Sequence, residues 1–208
     1  ARCINEIVWG FGEGGMDIDL GRLFAEGVRL LDADEAVMKK VAEFYRQRLH
    51  NQLRERGYGH GTTSLAVESM GMRPLQALRM LQAFDEVSAA AWFSSLVQSA
   101  IRVANILGKL SDEDRATIAL DESKLSLEAE RNLKNALDRQ SDAVREAIDR
   151  LDWKAVCEAL SDLSPAISDF FENVMVMDED PTARNNRLAL LTRCKALFDS
   201  IGDFSLMK

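Results

Sequence analysis

The chain has 208 residues, 47% of them apolar, and a formal net charge of −8. That is enough apolar material for one substantial core or two small ones, and no window approaches the roughly 18–20 apolar residues that a membrane-spanning helix needs. No basic-then-apolar leader opens the chain, and ARCINEIVWG reads as the middle of an amphipathic helix, so a soluble, intracellular piece of a longer protein is expected.

Apolar residues recur at intervals of three and four along nearly every segment, which predicts an all-α, multi-helix fold. Helices are expected at about 2–9, 18–31, 35–56, 62–70, 74–86, 88–108, 126–150, 153–163, 165–177 and 181–201. The glycine-bearing stretches GFGEGG (10–15) and RGYGHG (56–61) are breaks. GEGG lacks the Lys-Ser/Thr and the preceding strand of a phosphate loop. Pro74, Pro165 and Pro181 each head a helical pattern, because proline at the first helical position loses no hydrogen bond and Ser164 or Asp180 before it can cap free amides. GKLSDEDRATIALDES (108–123) is the expected link.

Cys3, Cys157 and Cys194 lie far apart, and with only His50 and His60 no metal-ligand spacing appears; buried free thiols are expected. No catalytic set is expected either. His60 in GYGHGTT is read as a loop residue, and Phe170, Val174 and Met177 as the core face of a helix.

The acidic total hides a partition. Residues 88–109 hold two bases and no acid, and residues 183–208 hold five bases against two acids; residues 110–182 carry 19 acids against 8 bases. Polyanion binding depends on local fields, since salt screens charges beyond about 10 Å. On a helical wheel of 88–108, Trp92, Phe93, Leu96, Ala100, Val103 and Leu107 gather on one side and Gln98, Arg102, Asn105 and Lys109 on the other. The polar side reads either as a solvated face or as a nucleic-acid contact, amides and guanidinium groups being the donors that read phosphates and base edges. In 181–201, Leu190, Leu191, Cys194, Leu197, Phe198 and Ile201 form the apolar stripe with Arg187 near its middle. A cation there must be paired or snorkel, and a structural ion pair with Asp178 or Asp180 is expected, with an RNA contact as the alternative. Arg184 and Lys195 share a flank and Arg193 points away from the core, leaving these three to meet a polyanion. Helix 35–56 carries Lys39, Lys40, Arg46, Arg48, Arg54 and Arg56 against three glutamates, expected as a solvated face, with a secondary RNA or subunit surface as the alternative.

FFENVMVMDEDPTARNNRLALL (170–191) with the following CKALFDSIGDFSLMK resembles the carboxy-terminal end of bacterial glycyl-tRNA synthetase beta subunits. RVANIL (102–107), VAEFYRQRL and GYGHGTTSLAV extend the resemblance over almost the whole chain. The resemblance implies a DALR-like helical anticodon-binding domain at 87–208 preceded by a helical body at 1–86. It implies glycine tRNA as the partner, gripped through Gln98, Arg102, Asn105, Lys109, Arg184, Arg193 and Lys195, and neither DNA nor a membrane. It further implies an alpha-two beta-two heterotetramer in the bacterial cytoplasm, with ATP and magnesium used at the separate alpha subunit and no cofactor or active site here. Arg102, Asn105 and Arg187 match the family pattern. Ile101, Ser164 and Ser168 depart from it, where members often carry a basic residue, arginine and aspartate. Two alternatives stand beside this: an arginyl-tRNA synthetase anticodon-binding domain, which DFSLMK disfavours, and a helical protein-interaction module.

Overall fold

The computed structural model describes residues 1–10, 15–32, 34–110 and 119–207. Residues 11–14 of GFGEGG and 111–118 of the expected link lie outside them. Among the described residues every regular element is helical, and none is long and apolar enough to cross a membrane. The chain forms two compact units, one from residues 1–86 joined by the last residues from Leu206, the other from residues 87–205.

The first unit holds α1 (Arg2–Gly10), α2 (Leu20–Leu30), α3 (Glu35–Glu55), α4 (His60–Met70) and most of α5 (Pro74–Val87). Asp19 and Asp34 start α2 and α3 by accepting from the amides of Arg22 at 3.0 Å and Ala36 at 2.8 Å. These bonds satisfy donors that the first turn leaves free. α3 packs against α1, α2 and α4. Its buried Leu49 and Leu53 supply apolar contact, and a polar seam fixes α1: Asn5, fully buried, donates to Gln52 at 2.9 Å and accepts from the Tyr45 hydroxyl. Burial pushes the Tyr45 phenol well above its ordinary range, outweighing the hydrogen bond to Asn5.

The second unit is a bundle of α6 (Ala91–Leu107), α7 (Glu128–Asp149), α8 (Trp153–Ser161), α9 (Ser164–Asn173) and α10 (Pro181–Asp199). α7 packs on α8, α9 and α10, and α6 lies against α8, α9 and α10. Leu96, Leu133, Leu137, Leu160, Leu163 and Phe170 are the largest fully buried side chains. α7 ends in a Schellman turn: Leu151 adopts φ 56°, its amide reaches Ile148 O at 2.9 Å, and the Asp152 amide reaches Ala147 O at 2.9 Å.

All three prolines stand at or beside a helix start. Ser164 is not the cap expected of it: Leu163 takes that position, and the Ser164 hydroxyl is buried with no hydrogen-bond partner among the described residues. Three further expectations are corrected. His60 is the first residue of α4, its ring edge-on to His50 with centroids 5.4 Å apart. Cys3 is exposed, whereas Cys157 and Cys194 are buried, and burial pushes both thiols up to about 12. The helix expected to reach residue 177 stops at Asn173; Val174 is extended at φ −126°, ψ 122°. Beyond it, buried Val174 and Val176 alternate with exposed Met175 and Met177, the period of a strand.

Candidate nucleic-acid interface

α6 presents its expected polar face. Phe93, Leu96, Ala100, Val103 and Leu107 are buried, while Gln98, Arg102, Asn105 and Lys109 are all exposed. The face forms because the apolar residues keep a helical period, which leaves i, i+4, i+7 and i+11 on the far side. Gln98 Nε2 donates to Ser94 Oγ at 3.3 Å. The Arg102 guanidinium carbon sits 4.1 Å from the centroid of the Phe171 ring on α9. Among the described residues no carboxylate pairs with Arg102 or Lys109.

The three cations expected to help from α10 are arranged differently. Arg193 pairs with Asp138 at 2.8 Å and Lys195 with Asp199 at 2.6 Å. Arg184 donates to the Asp178 carbonyl at 3.3 Å. Lys134, followed by Arg193, holds the Asp138 carboxyl below its ordinary range. Exposed pairs of this kind contribute about 0–1 kcal/mol, so a phosphate can replace the carboxylate at little cost. The structure therefore exposes Gln98, Arg102 and Asn105 on α6 and Lys109 two residues past its end, and leaves Arg193 and Lys195 paired with carboxylates and Arg184 held by a backbone carbonyl. Arg54 in α3 and Arg56 just past its end are likewise engaged, by Tyr58 O and by Glu6.

Arg187 is an internal strut, 6% exposed. Its Nε donates to Glu130 Oε1 at 2.7 Å, and its Nη1 to Asp178 Oδ2 at 2.5 Å and to Met175 O at 2.9 Å. Glu130 is 3% exposed, and its other oxygen accepts from the Leu127 amide at 3.0 Å, closing the start of α7. Asp180, expected as a second partner of Arg187, instead caps α10 through the amides of Thr182 at 3.0 Å and Ala183 at 3.4 Å. The Asp178 carboxyl is held below its usual range first by the Asp180 amide and then by Arg187.

Three participants were missed from the sequence. Glu130 lies 57 positions from Arg187, and Phe171 falls outside the core face expected through Phe170, Val174 and Met177. Buried Asn186 clasps the backbone of Asp121, accepting from its amide at 2.7 Å and donating to its carbonyl at 3.0 Å. The NN pair opening α10 on its inner side was the one signal for that clasp. Among the described residues, no three His, Cys, Asp or Glu side chains are placed to hold a metal ion.

Residues 96–203, from α6 to beyond α10, match the family model described as the DALR anticodon binding domain. The chain is 29% identical, over 93% of its length, to the glycine–tRNA ligase beta subunit of Desulforapulum autotrophicum, and covers 28% of that protein. It is 34% identical over 86% of its length to the corresponding subunit of Anaeromyxobacter dehalogenans strain 2CP-C, covering 25% of it. With the beta subunit of Nitrosomonas europaea the identity is 34%, over 80% of the chain and 23% of the relative. The chain thus spans about a quarter of the length of these relatives.

Proposed function

Because the chain belongs to the DALR anticodon-binding domain family, we propose that its second unit grips the anticodon arm of glycine tRNA, as part of a glycyl-tRNA synthetase beta subunit. The observation that carries this reading is the α6 face with the turn that follows it: Gln98, Arg102 and Asn105 on the helix and Lys109 just past its end, all exposed and inside the matched segment, in a chain whose net charge is −8. Lys109 and Arg102 meet phosphates, Gln98 and Asn105 offer amides to the edges of unstacked bases, and the α10 cations Arg184, Arg193 and Lys195 join by exchanging their protein partners for phosphate. Glycine and ATP are joined to the tRNA elsewhere in an alpha-two beta-two assembly, at the alpha subunit with its magnesium, and this part of the beta subunit supplies tRNA binding without an active site or cofactor of its own. The setting is the bacterial cytoplasm, with neither DNA nor membrane as partner.

Titrating labelled glycine tRNA with the wild-type chain and with Arg102→Ala plus Lys109→Ala tests the reading. The double variant should keep its helical spectrum, bind more weakly, and lose about one unit of salt slope for each phosphate contact removed. A glycine tRNA with altered anticodon should bind the wild type less well. Equal affinity and equal slope for both proteins would remove the α6 face from the interface.

A further inference from the structure

Arg102 is ordered by an aromatic ring rather than by an anion. Its guanidinium lies over Phe171, and Phe171 is itself held edge-on to the fully buried Phe170, with centroids 5.8 Å apart and planes at 73°. α9 is thus anchored by Phe170 while presenting Phe171, half-buried, beneath an exposed cation on α6. A cation–π contact of this kind at a surface contributes little to stability. It does, however, pre-order a long side chain whose planar group can stack on a second π system through its outer face while its N–H edge remains free for phosphate. Among the described residues the first unit has two comparable contacts. Arg56 over Trp9 is also tied to Glu6 at 2.8 Å, and Arg48 over Phe44 joins neighbours on one helix outside the matched segment. Among these, the Arg102–Phe171 pair alone bridges two helices within the matched segment, and Gln98 and Asn105 flank it along α6.

We infer that Arg102 and Phe171 form a stacking platform for one unstacked base of the tRNA anticodon loop, with Phe171 acting as a positioning residue beneath the guanidinium. The inference rests on the anticodon-arm reading above. It separates two properties of Arg102: charge, which any cation supplies, and a plane held by a ring, which lysine does not supply.

The test uses the whole chain with a glycine-tRNA anticodon stem-loop in which 2-aminopurine replaces each loop base in turn. Phe171→Leu keeps apolar bulk and removes the ring; Arg102→Lys keeps the charge and removes the plane. In the wild type, one loop position should change its fluorescence on binding through stacking. Both variants should lose that change and bind about tenfold more weakly, with the salt slope unaltered because no charge is lost. Should Phe171→Leu perturb folding, exposed Arg102→Lys alone still decides. Wild-type affinity and an intact fluorescence change in Arg102→Lys, with weakened binding by Arg102→Ala plus Lys109→Ala, would overturn the platform and leave the anticodon-arm reading standing. Failure of the wild type to bind the stem-loop would overturn both.

Discussion

Arg187 is where a single residue carries most of the consequence. The apolar stripe of α10 draws it inward, and a buried guanidinium persists only if its desolvation is offset by paired charges and hydrogen bonds. Glu130, Asp178 and Met175 O provide these. Arg187→Ala leaves Glu130 buried without its partner and is expected to lower stability by about 3–5 kcal/mol. Arg193→Ala, which opens the exposed pair with Asp138, is expected to cost less than about 1 kcal/mol. Urea denaturation of the two variants checks both; comparable losses would show that burial does not separate these pairs. The sequence made half of this strut legible. The wheel placed Arg187 on the stripe and required a partner, and Asp178, nine positions away, was found because chain proximity favoured it. Glu130 was not, because an acid in the first turn of a helix has a sufficient local explanation in the helix dipole and cap, and nothing local says that its second oxygen faces another helix.

Among the elements, α6 and the segment after α9 show why legibility differs. α6 was readable because seventeen residues keep one period, so burial and exposure follow from the pattern itself. FFENVMVM is short and fits two periods: Phe170, Val174 and Met177 at helical spacing, Val174 and Val176 at strand spacing. Such runs are ambiguous from periodicity alone. Two tertiary facts select the extended form, the Arg187 bond to Met175 O and the burial of Val176 beside exposed Met177. Substituting aspartate at each position in turn tests the alternation. Val176→Asp buries a carboxylate without a partner and should destabilise by several kcal/mol, whereas Met177→Asp, at 58% exposure, should stay within about 0.5 kcal/mol. Thermal melts measure both, and the opposite order would restore a helix through residue 177.

At the scale of the whole molecule, the chain's last residues belong with its first unit, a feature no local pattern announced. Gly61 near the start of α4 explains how closely they approach. A Cβ there would lie 2.7 Å from Met207 Cα and 2.8 Å from Leu206 O, both backbone atoms, so a flexible side chain cannot absorb the clash. Gly61→Ala therefore sets two effects against each other. Alanine favours the helix by roughly 0.5–1 kcal/mol over glycine, while the added methyl must displace residues 206–207. Overall stability should accordingly change little while the tail is released. Hydrogen exchange resolves the two effects by position: amides at 206–207 should exchange faster in Gly61→Ala than in the wild type, and those in the body of α4 should not. Unchanged protection at 206–207 would mean that α4 shifts to admit the methyl, and then the cost should appear as faster exchange within α4 and a lower melting temperature.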